Sequence, residues 1–100
     1  MKKYVVSEKD MKNMLNILSA LKDKTRLKIV FALMTGKKCV SEIVAEVEMT
    51  QSAVSHQLNF LKNCNLVSSI KEGNKVYYMI SDEHVKKVVD MCLVHAREID

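Results

Sequence analysis

The sequence contains no proline and no tryptophan, and only two of its 100 residues are glycine. A chain with so few helix-breaking residues offers no Pro/Gly-rich linker, and it shows no low-complexity tract or internal repeat. We therefore expect one domain over residues 1–100, built mainly of helices. Its two glycines, Gly36 and Gly73, mark the expected breaks.

Long apolar runs are also absent, although 48% of the residues are hydrophobic. A membrane-spanning helix needs about 20 consecutive apolar residues, and the start MKKYVVSEKD lacks the apolar stretch of a signal peptide. The three cysteines, Cys39, Cys64 and Cys92, are an odd number at wide spacing, which favours reduced thiols over a disulfide framework. We expect a cytoplasmic protein that has no membrane partner.

Positive charge is concentrated away from the C-terminus. The net charge is +4, and residues 1–38 hold ten Lys or Arg against three acids, whereas residues 81–100 hold three against five. A basic surface of this kind favours a polyanionic partner. The acidic last segment needs a separate explanation.

Apolar residues recur first at helical and later at strand spacing. The pattern predicts the order ααααββα. The first two helices are separated at Asp23 and end by Gly36. A short amphipathic helix over 40–48 follows, and then a helix capped by Thr50. A hairpin turns at 72–74, and a last helix over about 81–99 is capped by Ser81.

The helix that follows Thr50 has one polar face spanning about 140° of arc. This face holds amides, hydroxyls, an imidazole and a lysine but no acid, a composition suited to base edges and phosphate oxygens in a major groove. A simple solvated face would have the same pattern. Gln57 is the exception, because it lies among the apolar positions and needs a buried partner for its amide.

Two neighbouring features favour the DNA-binding interpretation. A short helix, a tight turn and a polar-faced helix form a helix-turn-helix, and the following hairpin forms a wing whose tip carries lysines. The predicted DNA contacts are Thr50, Gln51, Ser52, Ser55, His56, Asn59, Lys62, Lys71 and Lys75.

The last helix carries four potential metal ligands: Asp82, His84, His95 and Glu98. Imidazole and carboxylate groups suit zinc or cobalt. Eleven residues separate the two histidines, about 16 Å along a helix, so one helix cannot close a site. Two such helices packed antiparallel across a dyad would bring the two ends together into two equivalent sites. The alternative is that these side chains lie on the edge of a dimer helix and bind no metal.

Four stretches resemble the ArsR/SmtB family of metal-sensing repressors: LKDKTRLKIV at 21–30, CVSEI at 39–43, QSAVSHQL at 51–58 and GNKVYY at 73–78. The resemblance runs from about residue 12 to the C-terminus. It implies a mainly α winged helix-turn-helix that forms a homodimer through its terminal helices, with 50–63 as the recognition helix. Three residues depart from the family pattern. Lys24 stands where the family often has proline, and Glu48 and Asn65 stand where it often has glycine.

The family resemblance also bears on the metal. Asp-x-His followed by His-x-x-Glu is similar to the zinc site in the C-terminal helix of this family at all four ligands, which implies zinc, with cobalt or nickel as other candidates. A second family site uses several thiolates, of which only Cys39 is matched here. The resemblance implies a repressor that binds double-stranded operator DNA as a metal-free dimer and releases it when the divalent ion binds.

Two other functions stay open at this point. A winged-helix redox regulator would sense through Cys39, Cys64 or Cys92, and a metal-storage or carrier protein would bind zinc without binding DNA. An enzyme is not expected, because no glycine-rich oxyanion or phosphate loop is present and a closed four-ligand site leaves no open position for chemistry.

Overall fold

The computed structural model describes residues 3–100. Its elements are α1 (Glu8–Leu21), α2 (Lys24–Leu33), β1 (Lys38–Cys39), α3 (Val40–Val47), α4 (Gln51–Asn63), β2 (Val67–Glu72), β3 (Lys75–Ile80) and α5 (Glu83–Arg97). The predicted order of helices and hairpin is confirmed. The short strand β1 is an addition that the sequence pattern did not indicate.

Side-chain caps fix where the helices begin. Asp23 accepts a hydrogen bond from the Arg26 N–H at 2.9 Å, and Thr50 accepts one from the Ala53 N–H at 3.1 Å, as expected for N-cap residues. Both predicted caps are confirmed.

The predicted cap of the last helix, Ser81, is wrong. The Asp82 carboxylate caps α5 by accepting from the Val85 N–H at 3.1 Å. Ser81 is still held in the sheet layer, because its N–H donates to the Leu66 carbonyl at 3.0 Å. The helix therefore begins one residue later, where an anionic side chain also complements the helix dipole.

The three strands form one antiparallel sheet in the order β1-β3-β2. The hairpin pairs Val67 with Ile80 at its base and Glu72 with Lys75 at its tip, and Gly73 turns the chain with φ +62°. Glycine adopts this left-handed conformation without strain. The sheet therefore ends in an exposed two-stranded wing.

The core lies between α2, α3, α4 and the base of the sheet. Its largest fully buried side chains are Ile29, Val30, Leu33, Ile43, Val54, Leu58, Leu61, Leu66 and Val67. α5 contributes only Val89 to the buried hydrophobic residues.

Within residues 3–100, every helix is too short or too polar to be a candidate membrane span.

α1 and α5 leave large apolar side chains in solvent. Met11, Met14, Leu15 and Leu18 on α1 and Val88 and Met91 on α5 are between 49% and 61% exposed. An apolar groove of about 440 Å³ runs between α1, α2 and α5. A contiguous apolar surface of this kind is typical of a protein interface.

Candidate functional site

The turn between α3 and α4 begins with a residue in the left-handed conformation. Glu48 ends α3 in the left-handed conformation, with φ 56° and ψ 45°. Asn65 adopts φ 60° after α4, as expected for an Asn that replaces a C-terminal glycine. Two left-handed residues thus bracket the helix whose polar face was predicted to read DNA.

The polar face of α4 is accessible. Gln51, Ser52, His56, Asn59 and Lys62 are exposed, as is the capping Thr50, whereas Ser55 is half-buried. The face is continuous with the wing, because Lys62 Nζ donates to the Ser69 hydroxyl on β2 at 2.7 Å. The recognition helix and the wing therefore present one joined polar surface.

Gln57 lies on the side of α4 opposite the polar face, and its side-chain amide has a hydrogen-bond partner there. Its Oε1 accepts a hydrogen bond from Arg26 Nη1 at 3.3 Å. Sequence patterning missed Arg26, because helical periodicity treats an arginine as a solvent-facing residue. The signal that could have found it is the unsatisfied amide of Gln57, which requires a donor from another element.

The two wing lysines are both exposed but lie on opposite faces of the hairpin. Lys71 pairs with Val76, and Lys75 immediately precedes Val76 on β3, so Lys71 and Lys75 project from opposite faces. Lys71 shares its face with Ser69, which contacts α4. Lys75 shares its face with Glu72, which forms an ion pair with Lys37.

The first turn of α3 carries Glu42, a carboxylate whose pKa is displaced. Glu42 Oε1 accepts from the Cys39 backbone N–H at 3.0 Å and lies 3.2 Å from its Sγ. The hydrogen bond from the Cys39 backbone, followed by that from its thiol, lowers the pKa of Glu42 below its ordinary value. Both bonds stabilise the charged carboxylate at the start of the helix-turn-helix.

The four potential metal ligands occur as two pairs, one at each end of α5. Asp82 Oδ1 lies 3.4 Å from His84 Nδ1, and Glu98 Oε1 lies 3.4 Å from His95 Nδ1. All four side chains are at least half exposed. Each end of the helix therefore presents one imidazole nitrogen and one carboxylate oxygen to solvent.

The donor set of each pair fits a zinc ion. Two ligands that each lie about 2.1 Å from a tetrahedral zinc are about 3.4 Å apart, which is the separation within each pair. Across residues 3–100 of one chain, however, no three His, Cys, Asp or Glu side chains are placed to hold a metal together. Each pair can supply only half of a four-ligand site.

The Asp82–His84 pair opens onto a groove at the end of the recognition helix. This groove of about 530 Å³ is lined by both of these side chains and by Asn63, Cys64 and Asn65. An ion or molecule bound by Asp82 and His84 would therefore lie beside the C-terminus of α4.

All three cysteines are free. Cys39 is buried at 7% exposure, with its Sγ 3.2 Å from the Ser41 hydroxyl, while Cys64 is half-buried and Cys92 is exposed.

Comparison with known proteins places the chain among transcriptional regulators. Residues 23–69 match the model of the bacterial regulatory protein, arsR family. A cadmium resistance transcriptional regulatory protein CadC homolog from Staphylococcus aureus is 39% identical over 83% of this chain and 69% of its own length. A transcriptional repressor SmtB homolog from Synechocystis is 35% identical over 96% of this chain and 73% of its own length.

A solved structure shares the architecture. The homodimeric winged helix-turn-helix DNA-binding domain of a possible ArsR-family transcriptional regulator from Mycobacterium bovis superimposes with a TM-score of 0.86. It is 27% identical and covers 96% of this chain and 92% of its own. The predicted winged helix-turn-helix is confirmed, and the relatives are regulators rather than enzymes. The chain belongs to the ArsR/SmtB family of transcriptional regulators.

Proposed function

We propose that this chain is a homodimeric repressor that binds operator DNA without metal and releases it when zinc binds at sites shared between the subunits. The observation that carries the proposal is the division of four zinc ligands into two exposed pairs at opposite ends of α5. As a DNA-binding regulator, the protein would act in the cytoplasm. Cobalt and nickel remain alternative ions, because imidazole and carboxylate ligands bind them as well.

The side chains between the two pairs support an antiparallel helix pair. His84, Val88, Met91, His95 and Glu98 follow one another at intervals of four, three, four and three residues, which places them on one line along a helix. In an antiparallel arrangement about a dyad, a register that puts His84 opposite the partner subunit's His95 also puts Val88 opposite the partner subunit's Met91. The half-exposed apolar pair would then be buried at the centre, with one metal site at each side of it.

DNA binding is assigned to α4 and the wing. Thr50, Gln51, Ser52, Ser55, His56, Asn59 and Lys62 would contact bases and phosphates in the major groove, and Lys71 and Lys75 would contact flanking phosphates. The uninterrupted surface formed by Lys62 and Ser69 supports a shared docking face.

The geometry suggests how metal would weaken DNA binding. A dimeric winged helix reads two half-sites about one helical turn apart, so its affinity depends on the spacing of its two recognition helices. Zinc would join α5 of one subunit to α5 of the other and fix their relative orientation. Because the Asp82–His84 pair opens onto the groove beside Asn65, this restraint would act directly at the end of α4.

Subunit mixing tests the shared sites. Homodimers of His84→Gln and of His95→Gln should each lose both zinc sites, because every site needs one histidine from each chain. A heterodimer of the two variants regains one intact site, since one of its chains keeps His84 and the other keeps His95. Zinc stoichiometry measured against a competing chelator should rise after mixing. No recovery on mixing would contradict a site shared between subunits.

Operator release needs its own measurement. Metal-free His95→Gln protein should bind operator DNA as tightly as the wild type, because the histidine lies away from the reading face of α4. Stoichiometric zinc should weaken the wild-type complex by about 5- to 150-fold, the usual range of allosteric coupling, and should leave the variant complex unchanged. Zinc release of the variant would show that another site controls DNA binding.

A further inference from the structure

Arg26 joins three helices through a single side chain. Its Nε donates to the Ala20 carbonyl at 3.0 Å, and its Nη1 donates to Gln57 Oε1 at 3.3 Å. Its guanidinium carbon lies 4.1 Å from the centre of the Phe60 ring. Ala20 belongs to α1, Arg26 to α2, and Gln57 and Phe60 to α4.

These contacts require the geometry of arginine. Its planar guanidinium can donate in two directions while it stacks on an aromatic face, and a lysine ammonium offers no such fork. The Ala20 carbonyl lies in the last turn of α1, where backbone carbonyls lack partners within the helix. None of the ion pairs formed by residues 3–100 includes Arg26, so neutral acceptors and an aromatic ring hold its charge.

The two helices that Arg26 connects have different tasks. α1 carries exposed apolar side chains and is one of the terminal helices through which the family resemblance implies a homodimer, and α4 carries the polar face proposed to read DNA. Gln57 is half-buried on the side of α4 opposite the polar face, and Phe60, which is 40% exposed, flanks it one turn along the helix. A contact at this side controls the tilt and rotation of the helix without touching DNA.

We propose that Arg26 is a positioning residue for sequence recognition, which fixes the orientation of α4 relative to α1 and hence the spacing of the two recognition helices in the dimer. The proposal rests on the proposed role of α4 in DNA binding. Base contacts need accurate placement of side chains, whereas phosphate contacts tolerate displacement. Loss of the Arg26 contacts should therefore lower affinity for a specific duplex more than affinity for DNA in general.

The test compares Arg26→Lys and Gln57→Met with wild type. Arg26→Lys keeps the charge but removes the fork, and Gln57→Met keeps the side-chain length but removes the acceptor. Lys28→Arg, an equally conservative change at an exposed position of α2, is the control. The probes are the 30-base-pair duplex that wild-type dimer selects from a randomised pool, and a scrambled duplex of the same length and composition.

We expect Arg26→Lys to bind the selected duplex about tenfold more weakly and Gln57→Met about three- to fivefold more weakly, the range for lost hydrogen bonds. Their affinities for the scrambled duplex should stay within about twofold of wild type, and Lys28→Arg should match wild type on both. Circular dichroism and sedimentation equilibrium will establish that the variants are folded dimers at the assay temperature. If Arg26→Lys does not fold, Gln57→Met decides the matter.

Equal losses on both duplexes, or no loss on either, would overturn the inference while leaving the proposed function intact. If wild-type dimer selects no duplex from the pool, the proposed DNA-binding function fails and the role of Arg26 fails with it. A loss confined to the selected duplex supports Arg26 as a residue that positions α4.

Discussion

At the scale of single residues, Glu48 is held in a conformation that glutamate disfavours. Its φ of 56° lies in the left-handed region, which costs a residue with a Cβ about 1–2 kcal/mol. Glu48→Gly relieves this strain, but glycine loses more backbone entropy on folding, so the free energy of unfolding should rise by no more than about 1 kcal/mol. Urea unfolding at one fixed protein concentration measures this change. Asn65→Gly, at a position with φ 60°, should gain less, because Asn tolerates this region; an equal gain would contradict the explanation.

Glu42 gives the protein a defined response to acid. Because its pKa is lowered in the folded state, its carboxylate stabilises the fold above its ordinary pKa, and this contribution is lost as the pH falls through the lowered value. Wild type should therefore be more stable than Glu42→Gln at pH 7, and the two should converge as the pH falls below the ordinary glutamate pKa and through the lowered one. Glu8→Gln, in the first turn of α1, is the matched control for loss of a carboxylate near a helix start. A difference that persists unchanged at low pH would be inconsistent with this assignment.

At the scale of elements, the wing separates two lysines that the sequence grouped together. Lys71 shares the hairpin face that contacts α4 through Ser69, whereas Lys75 faces the other side. Lys71→Ala should weaken binding to all duplexes similarly and reduce the salt dependence of log K by about one phosphate contact. Lys75→Ala should produce a smaller loss. The measurement is affinity across a salt series; a larger effect of Lys75→Ala would reverse our assignment of the two faces.

The limits of sequence reasoning follow from the range of the interactions. Local signals predicted the helix starts at Asp23 and Thr50 and the hairpin turn, because caps and turns depend on neighbouring residues. The strand β1 is two residues long, too short to show an alternating pattern, and it exists only because β3 offers an edge. The contact between Arg26 and Gln57 spans 31 positions in the chain, so no local periodicity can reveal it.

For the candidate metal site as well, the sequence predicted some features and missed others. Residue types and helical spacing offered Asp82, His84, His95 and Glu98 as candidates and showed that one helix cannot join them. The family resemblance was needed to favour them as metal ligands over surface side chains. The capping role of Asp82 was not predicted, because Ser81 offered an equally good cap by composition. The first ligand pair therefore includes a side chain that also holds the start of its helix.

At the scale of the whole molecule, the exposed centre of α5 predicts which substitution would break the proposed dimer. Met91 is 61% exposed in the single chain, and by symmetry a substitution there acts twice in the dimer. Met91→Lys should weaken dimerisation at least about 100-fold, since burial of each methionine contributes roughly 1.5–3 kcal/mol. Asp90→Asn changes the net charge by the same amount, by removing a negative charge at a neighbouring exposed position that points away from this line, and it should leave the dimer intact. Sedimentation equilibrium distinguishes the outcomes; an unaffected Met91→Lys dimer would exclude this face.

The separated ligand pairs at the two ends of α5 have a consequence for the sensitivity of the protein. Under the proposed function, a chain that carries only half of each site would detect metal only after it has met another copy of itself. Apparent zinc affinity should therefore fall as the protein is diluted below its dimer dissociation constant, and zinc should in turn hold dilute dimers together by mass action. The threshold at which such a sensor responds is set jointly by the abundance of the ion and by the number of sensor molecules in the cell.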